Sequence, residues 1–274
     1  MTSGRKRHLE RPPINEVVCG IQFEPLAKLL APHLGVFWNK LGPDYPTCVE
    51  TMPLPTIVEN LDQKMAAHAL TFSGELMMMP PLARVWFVSK EENNLVQVQR
   101  ERFLCNWRRI RAEDDYPHYE NVRDQFLARV EQFMKFTADH ALGAIDINQL
   151  ELTYIDHIPQ GEAWRDLGSL EGLFPNLAWG GRHRVLGMPE GFRLQTSFEL
   201  DNRSGRLHSD IKTAIRATDN TPVIVLEMTA RGIGATNDLA AVKKWLDQAH
   251  EKATELFWDL TSDDVRRNVW GEKP

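Results

Sequence analysis

Leu95-Val96-Gln97-Val98-Gln99-Arg100-Glu101-Arg102-Phe103-Leu104-Cys105-Asn106-Trp107-Arg108-Arg109 is the stretch whose reading decides the fold. Leu95 to Gln99 alternates with the period of a β-strand, and a second strand follows through Phe103, Cys105 and Trp107. Upstream, Val85-Trp86-Phe87-Val88 is a short apolar strand, and Glu91-Glu92-Asn93-Asn94 is the turn after it. Three strands separated by short polar turns make a meander. On the last of them Arg100, Arg102, Leu104 and Asn106 share one face, while Glu101, Phe103, Cys105 and Trp107 share the other. The expectation is that Phe103, Cys105 and Trp107 face the core. Arg100, Arg102 and Asn106 then face outward as a polar recognition surface, with Arg108 and Arg109 at the strand's end.

Outward from that stretch, the chain continues in the same manner. Ile14 to Phe23 reads as a strand, and Leu26 to Leu41 carries apolar residues at helical spacing until Gly42-Pro43 closes it. Tyr45 to Pro81 is proline-rich and less regular, with Met77-Met78-Met79 as a loop on the core. Tyr119 to Leu142 is a long amphipathic helix, with Val122, Phe126, Val130, Phe133 and Phe136 on one face. Ile147 to Ile155 opens a second series. A short amphipathic segment near Leu167 to Leu173 precedes strands at Phe192 to Leu200, Arg206 to Ala217 and Pro222 to Ala230. A helix from Asp238 to Leu260, with Asn237 or Asp238 as its N-cap, closes it. Strand meanders flanked by helices predict an α+β fold, with antiparallel meanders packed against long helices. The order repeats as strand, helix, meander, helix. It predicts a flexible arm at 1–13 and two units at 14–145 and 146–274, packed as one compact body.

With 274 residues the chain can bury a sizeable core, and 42% hydrophobic and 26% charged residues are ordinary for a globular protein. A formal charge of −6 argues against a surface that coats nucleic acid generally. No run approaches the roughly 18 apolar residues of a membrane span. Cys19, Cys48 and Cys105 are too widely spaced for a zinc knuckle or a redox pair, which fits a reducing cytoplasm.

Several phrases resemble a sporadically distributed group of conserved hypothetical prokaryotic proteins. They are Pro12-Pro13-Ile14-Asn15-Glu16-Val17-Val18, Leu34-Gly35-Val36-Phe37-Trp38 with Tyr45-Pro46, Gln97 to Phe103 running into Asn106-Trp107-Arg108-Arg109, Tyr116-Pro117-His118-Tyr119-Glu120, and Glu151 to Pro159. The resemblance implies mobile or accessory gene clusters and carries no established activity or catalytic residue to transfer.

Chemistry tested directly gives little. There is no phosphate-binding glycine loop; Arg231-Gly232-Ile233-Gly234-Ala235 lacks a third glycine and reads as a plain strand-to-helix turn. There is no nucleophile elbow. Asp156-His157 and His183 could converge on a metal, but nothing requires it, and no metal or cofactor is assigned. Asp210-Ile211-Lys212, with Glu199 or Asp201, resembles the end of a nuclease motif, but a solvated strand face explains it.

Arg100 to Arg111 holds five arginines against Glu101 in an acidic protein. They could instead pair with Glu113, Asp114, Asp115 and Glu120. The reading is a non-enzymatic accessory or regulatory protein that recognises another protein through Arg100, Arg102, Asn106, Trp107, Arg108 and Arg109. Tyr116, Tyr119 and Trp179 are the adjoining aromatic contacts. The alternatives are nucleic-acid or nucleotide binding with Phe103 or Trp107 stacking, and a metal-dependent hydrolase. Homodimerisation is left open.

Overall fold

In the first half, Ile14–Phe23 (β2), Thr47–Thr51 (β3), Arg84–Val88 (β4), Asn94–Gln99 (β5) and Arg102–Arg108 (β6) are extended. The second half adds Ile147–Pro159 (β7), Arg193–Glu199 (β8), Gly205–Arg216 (β9) and Thr221–Ile233 (β10). A computed structural model describes residues 8–62, 82–177, 186–233 and 237–273, with Ile233 described by its backbone alone. The nine strands form one antiparallel sheet in the order β3-β4-β5-β6-β2-β7-β10-β9-β8. The pairing of β2 with β7 joins the two halves into that sheet.

His8–Leu9 (β1) pairs with Glu272–Lys273 (β11). Residues 8–13 are therefore held against the C-terminus, where the composition had placed a flexible arm. Residues 1–7 lie outside the described residues. β3 lies within the stretch from Tyr45 to Pro81 that reads as irregular; it is an exposed edge strand that, among the described residues, pairs with β4 alone.

The helices are Ala31–Leu41 (α1), Tyr119–Asp139 (α2), Leu239–Leu260 (α3) and Asp263–Asn268 (α4). The apolar spacing had started α1 at Leu26. Pro32 explains the later start, since its missing N–H is tolerated only in the first turn. Leu26 and Leu29 are buried all the same. Asp238 caps α3, its Oδ1 accepting from the Ala240 amide at 3.0 Å, while Asn237 instead accepts from the Ile147 amide. Gly232 allows the strand to pass close to α3: a Cβ there would overlap the Trp245 indole. Packing explains this glycine. Gly234 and Ala235 lie outside the described residues, as do Met77 to Met79.

α2 lies over β6 and β2, and α3 over β7 and β10. The core between helices and sheet is aromatic at one end, where Phe37 meets Phe133 and Phe136 at 5.1 and 5.2 Å and Phe103 stacks on Phe133 at 5.0 Å. All four rings are fully buried, and each removes on the order of 150 Å² or more from water. The opposite face of the sheet is polar. The segment 52–62 is strapped across it: Gln99 bonds both the amide and the carbonyl of Leu54, and Gln149 bonds the Glu59 amide and the Ile57 carbonyl. Glu59 then pairs with Arg206 at 2.5 Å and with His208 at 2.8 Å.

Candidate functional site

β7 outruns its expected end at Ile155 by four residues, to Pro159. Tyr154 and Asp156 share a face of the strand by alternation, and that face is the one covered by α3: Tyr154 Oη is 2.7 Å from His250 Nδ1. Asp156 is 1% exposed, and neither carboxyl oxygen has a hydrogen-bond partner. Burial raises its pKa to about 7, against the smaller opposing pull of Arg109. A deeply buried carboxyl without a partner is unusual, because an unmet buried polar group carries its full desolvation penalty.

A cavity of about 1030 Å³ opens beside Asp156. Its apolar wall includes Ile14, Ile158, Met228, Phe257 and Trp270. The loop between β6 and α2 supplies Arg109, Tyr116 and His118, and the N-terminal segment and the C-terminus close the far side. Tyr116 packs edge-on against Trp107 at 5.3 Å. Its hydroxyl is buried near that of Tyr154 and makes no hydrogen bond of ordinary geometry; burial raises its pKa strongly. Burial likewise raises the Tyr154 hydroxyl, and it lowers His157, helped by Arg216. His118 adopts φ +67° at the start of α2 without capping the helix, a backbone state that non-glycine residues rarely hold. His250 is clamped from two sides, by the Tyr154 hydroxyl and by the Tyr119 ring stacked at 4.0 Å. Asp156 can accept hydrogen bonds or pair with a positive charge; a carboxyl near pKa 7 also has the strength of a general base.

The residues expected to form an arginine surface are divided by the fold. Alternation assigned their faces correctly, but the face opposite the core is covered. Arg102 is 6% exposed and donates to Gln22 Oε1 at 2.7 Å and to the Pro55 carbonyl at 3.2 Å. Asn106, 5% exposed, donates to Glu16 at 2.5 Å and accepts from Gln97 at 2.8 Å. Neither faces outward as expected. Trp107 is in the core, and Tyr119 is buried with its hydroxyl on Asp247 at 3.1 Å. Phe103 and Trp107 are not placed to stack on a base. Arg100, Arg108 and Arg109 are half-buried; Arg108 bonds the Glu92 carbonyl and Arg109 the Asp114 carbonyl. Of the acids expected to pair with these arginines, Asp114 instead accepts from Asn93 and from the Ile110 and Arg111 amides. Trp179 and His183 lie outside the described residues.

Asp210 is held by both ends of Arg193, at 2.8 and 2.7 Å, and by Lys212 at 3.2 Å, while Asp201 pairs with Lys252. That matches a solvated strand face. Among the described residues no three of His, Cys, Asp and Glu converge as metal ligands, and no helix is long and apolar enough to cross a membrane. The sequence phrase Asp156-His157 held the site's central residue, but only as half of a metal guess. The signal available was a lone acid at an inward position of a central strand. Compared with protein-family models and with curated proteins, the chain matches none.

Proposed function

We propose that the chain is a non-enzymatic, cytoplasmic binding protein that recognises another protein, and that the end cavity rather than the arginine strand receives the partner. One observation carries this reading: Asp156 is buried beside a large cavity with no hydrogen-bond partner. A group that weakens the fold and holds nothing within it has its use toward a ligand. A side chain or chain terminus of a partner is of the right size to enter, and the half-buried Arg109 lines the cavity. Affinity purification from the native host, wild type beside Asp156→Asn, tests it. The variant is expected to lose at least one partner that wild type retains; identical partner sets would overturn the reading.

The order of elements on either side of the β2–β7 pair supports an architectural proposal too: each half is a strand–helix–meander–helix unit. Nucleic-acid binding, the rival reading, now rests on Arg100, Arg108, Arg109 and Arg111 without Phe103 or Trp107 to stack. Oligonucleotide titration at two salt concentrations addresses it, since phosphate contacts weaken as salt rises.

A further inference from the structure

We infer that the end cavity, read above as the recognition site, binds a cationic N–H donor, a primary amine or a guanidinium group, with Asp156 as its counter-ion. This rests on that reading and names the chemistry that enters.

An ionised carboxylate only accepts hydrogen bonds, so whatever satisfies Asp156 must bring donors. Its two oxygens are both unmet, and a guanidinium fork or an ammonium offers two or more N–H groups at once. A neutral donor would satisfy the oxygens and leave the buried charge uncompensated; a cation does both. The wider lining has the same bias. Glu10, Asp114, Asp115, Asp156 and Glu162 are five carboxylates, against three arginines, Arg11, Arg109 and Arg216. Arg109 influences Asp156 through space but forms no ion pair with it among the described residues, and its Nε is engaged by the Asp114 carbonyl at 3.2 Å. Asp156 is therefore left for a second cation. The apolar wall of Ile14, Ile158 and Phe257 suits the methylene stem that carries such a head, and the rings of Tyr116 and Trp270 line the same cavity.

The probes are butylguanidinium, butylammonium and the neutral isostere butylurea, titrated into the full chain at pH 8 and followed by NMR shifts and calorimetry. Butylguanidinium or butylammonium is expected to bind wild type at least tenfold more tightly than butylurea, shifting resonances of residues around Asp156. Asp156→Asn is expected to lose that preference. Equal binding of butylurea to wild type overturns the inference, as does an undiminished preference in the variant or no binding of either cation. The wild-type comparison stands whether or not the variant folds. If partner capture depends on Asp156 while the cations fail to bind, the inference falls and the protein-recognition reading survives. If the cations bind and no partner depends on Asp156, the reading falls and the cation site survives.

Discussion

Arg102 and Asp156 are both charged side chains taken out of water by the central strands of one sheet, on its opposite faces. Arg102 was placed there with partners: Gln22 and the Pro55 carbonyl accept from it, and neighbouring Asn106 links Glu16 to Gln97. Asp156 has none. Around Arg102, burial and satisfaction come together, so the network ties the strap 52–62 to the sheet and is explained by stability. At the end cavity, burial comes without satisfaction, and stability cannot explain it. A charged residue in the interior is thus a sign of function only after its partners are counted.

The comparison breaks most visibly at Glu59, the acid that anchors the strap to Arg206 and His208. Burial opposes its ionisation, but His208 and Arg206 outweigh burial and hold the carboxyl below its usual pKa. Glu59→Ala is expected to destabilise the protein by about 3 kcal/mol, because a buried arginine loses its counter-charge. Urea denaturation at pH 7 measures it; a loss below about 1 kcal/mol would mean that Glu59 does not clamp the strap to the sheet.

Asp156→Asn is expected to act in the opposite direction. With its folded pKa raised to about 7, Asp156 is protonated in folded and unfolded chains alike below its unfolded value, and there it adds no charge-dependent cost. As pH rises from that value toward 7 the unfolded chain gives up its proton while the folded chain keeps it, so stability falls across that window. It levels off above 7, where the folded chain bears the buried charge. The rise to about 7 is worth about 4 kcal/mol, and the Asn amide still carries part of the desolvation cost. The variant should therefore gain about 2 kcal/mol at pH 8, a gain that shrinks as pH falls through 7 toward 4. Thermal melts across that range would show it. A loss of stability at pH 8 would place a hidden partner on Asp156.

The smallest effect is expected at Arg108, half-buried, whose side chain donates to the Glu92 carbonyl at 3.0 Å. Arg108→Ala should change stability by less than about 0.5 kcal/mol. A larger change, read from the same urea curves, would extend the satisfied network to the strand's end.

Much of the fold was legible in local pattern. The meander from Val85 to Trp107 and the helices from Tyr119 and Asp238 are visible because periods of two and 3.6 are properties of a single segment. Boundaries moved where one residue overrode the pattern, as Pro32 did for α1. The candidate site was far less legible. Alternation told which side of β6 each residue takes, and it was right for Phe103 and for Arg102. It could not tell that residues 52–62 would lie over the arginine side. That cover comes from a segment some 45 residues away in the chain, through the pairings of Gln99 with Leu54.

The sequence by itself determined an α+β chain with antiparallel strands, and the face of a strand on which each residue sits. Only the tertiary structure decided what lies against those faces: a strap over Arg102 and a cavity beside Asp156. The physical reason is that periodicity is set by the backbone of one element, whereas solvation is set by whatever else the chain brings to that element's surface.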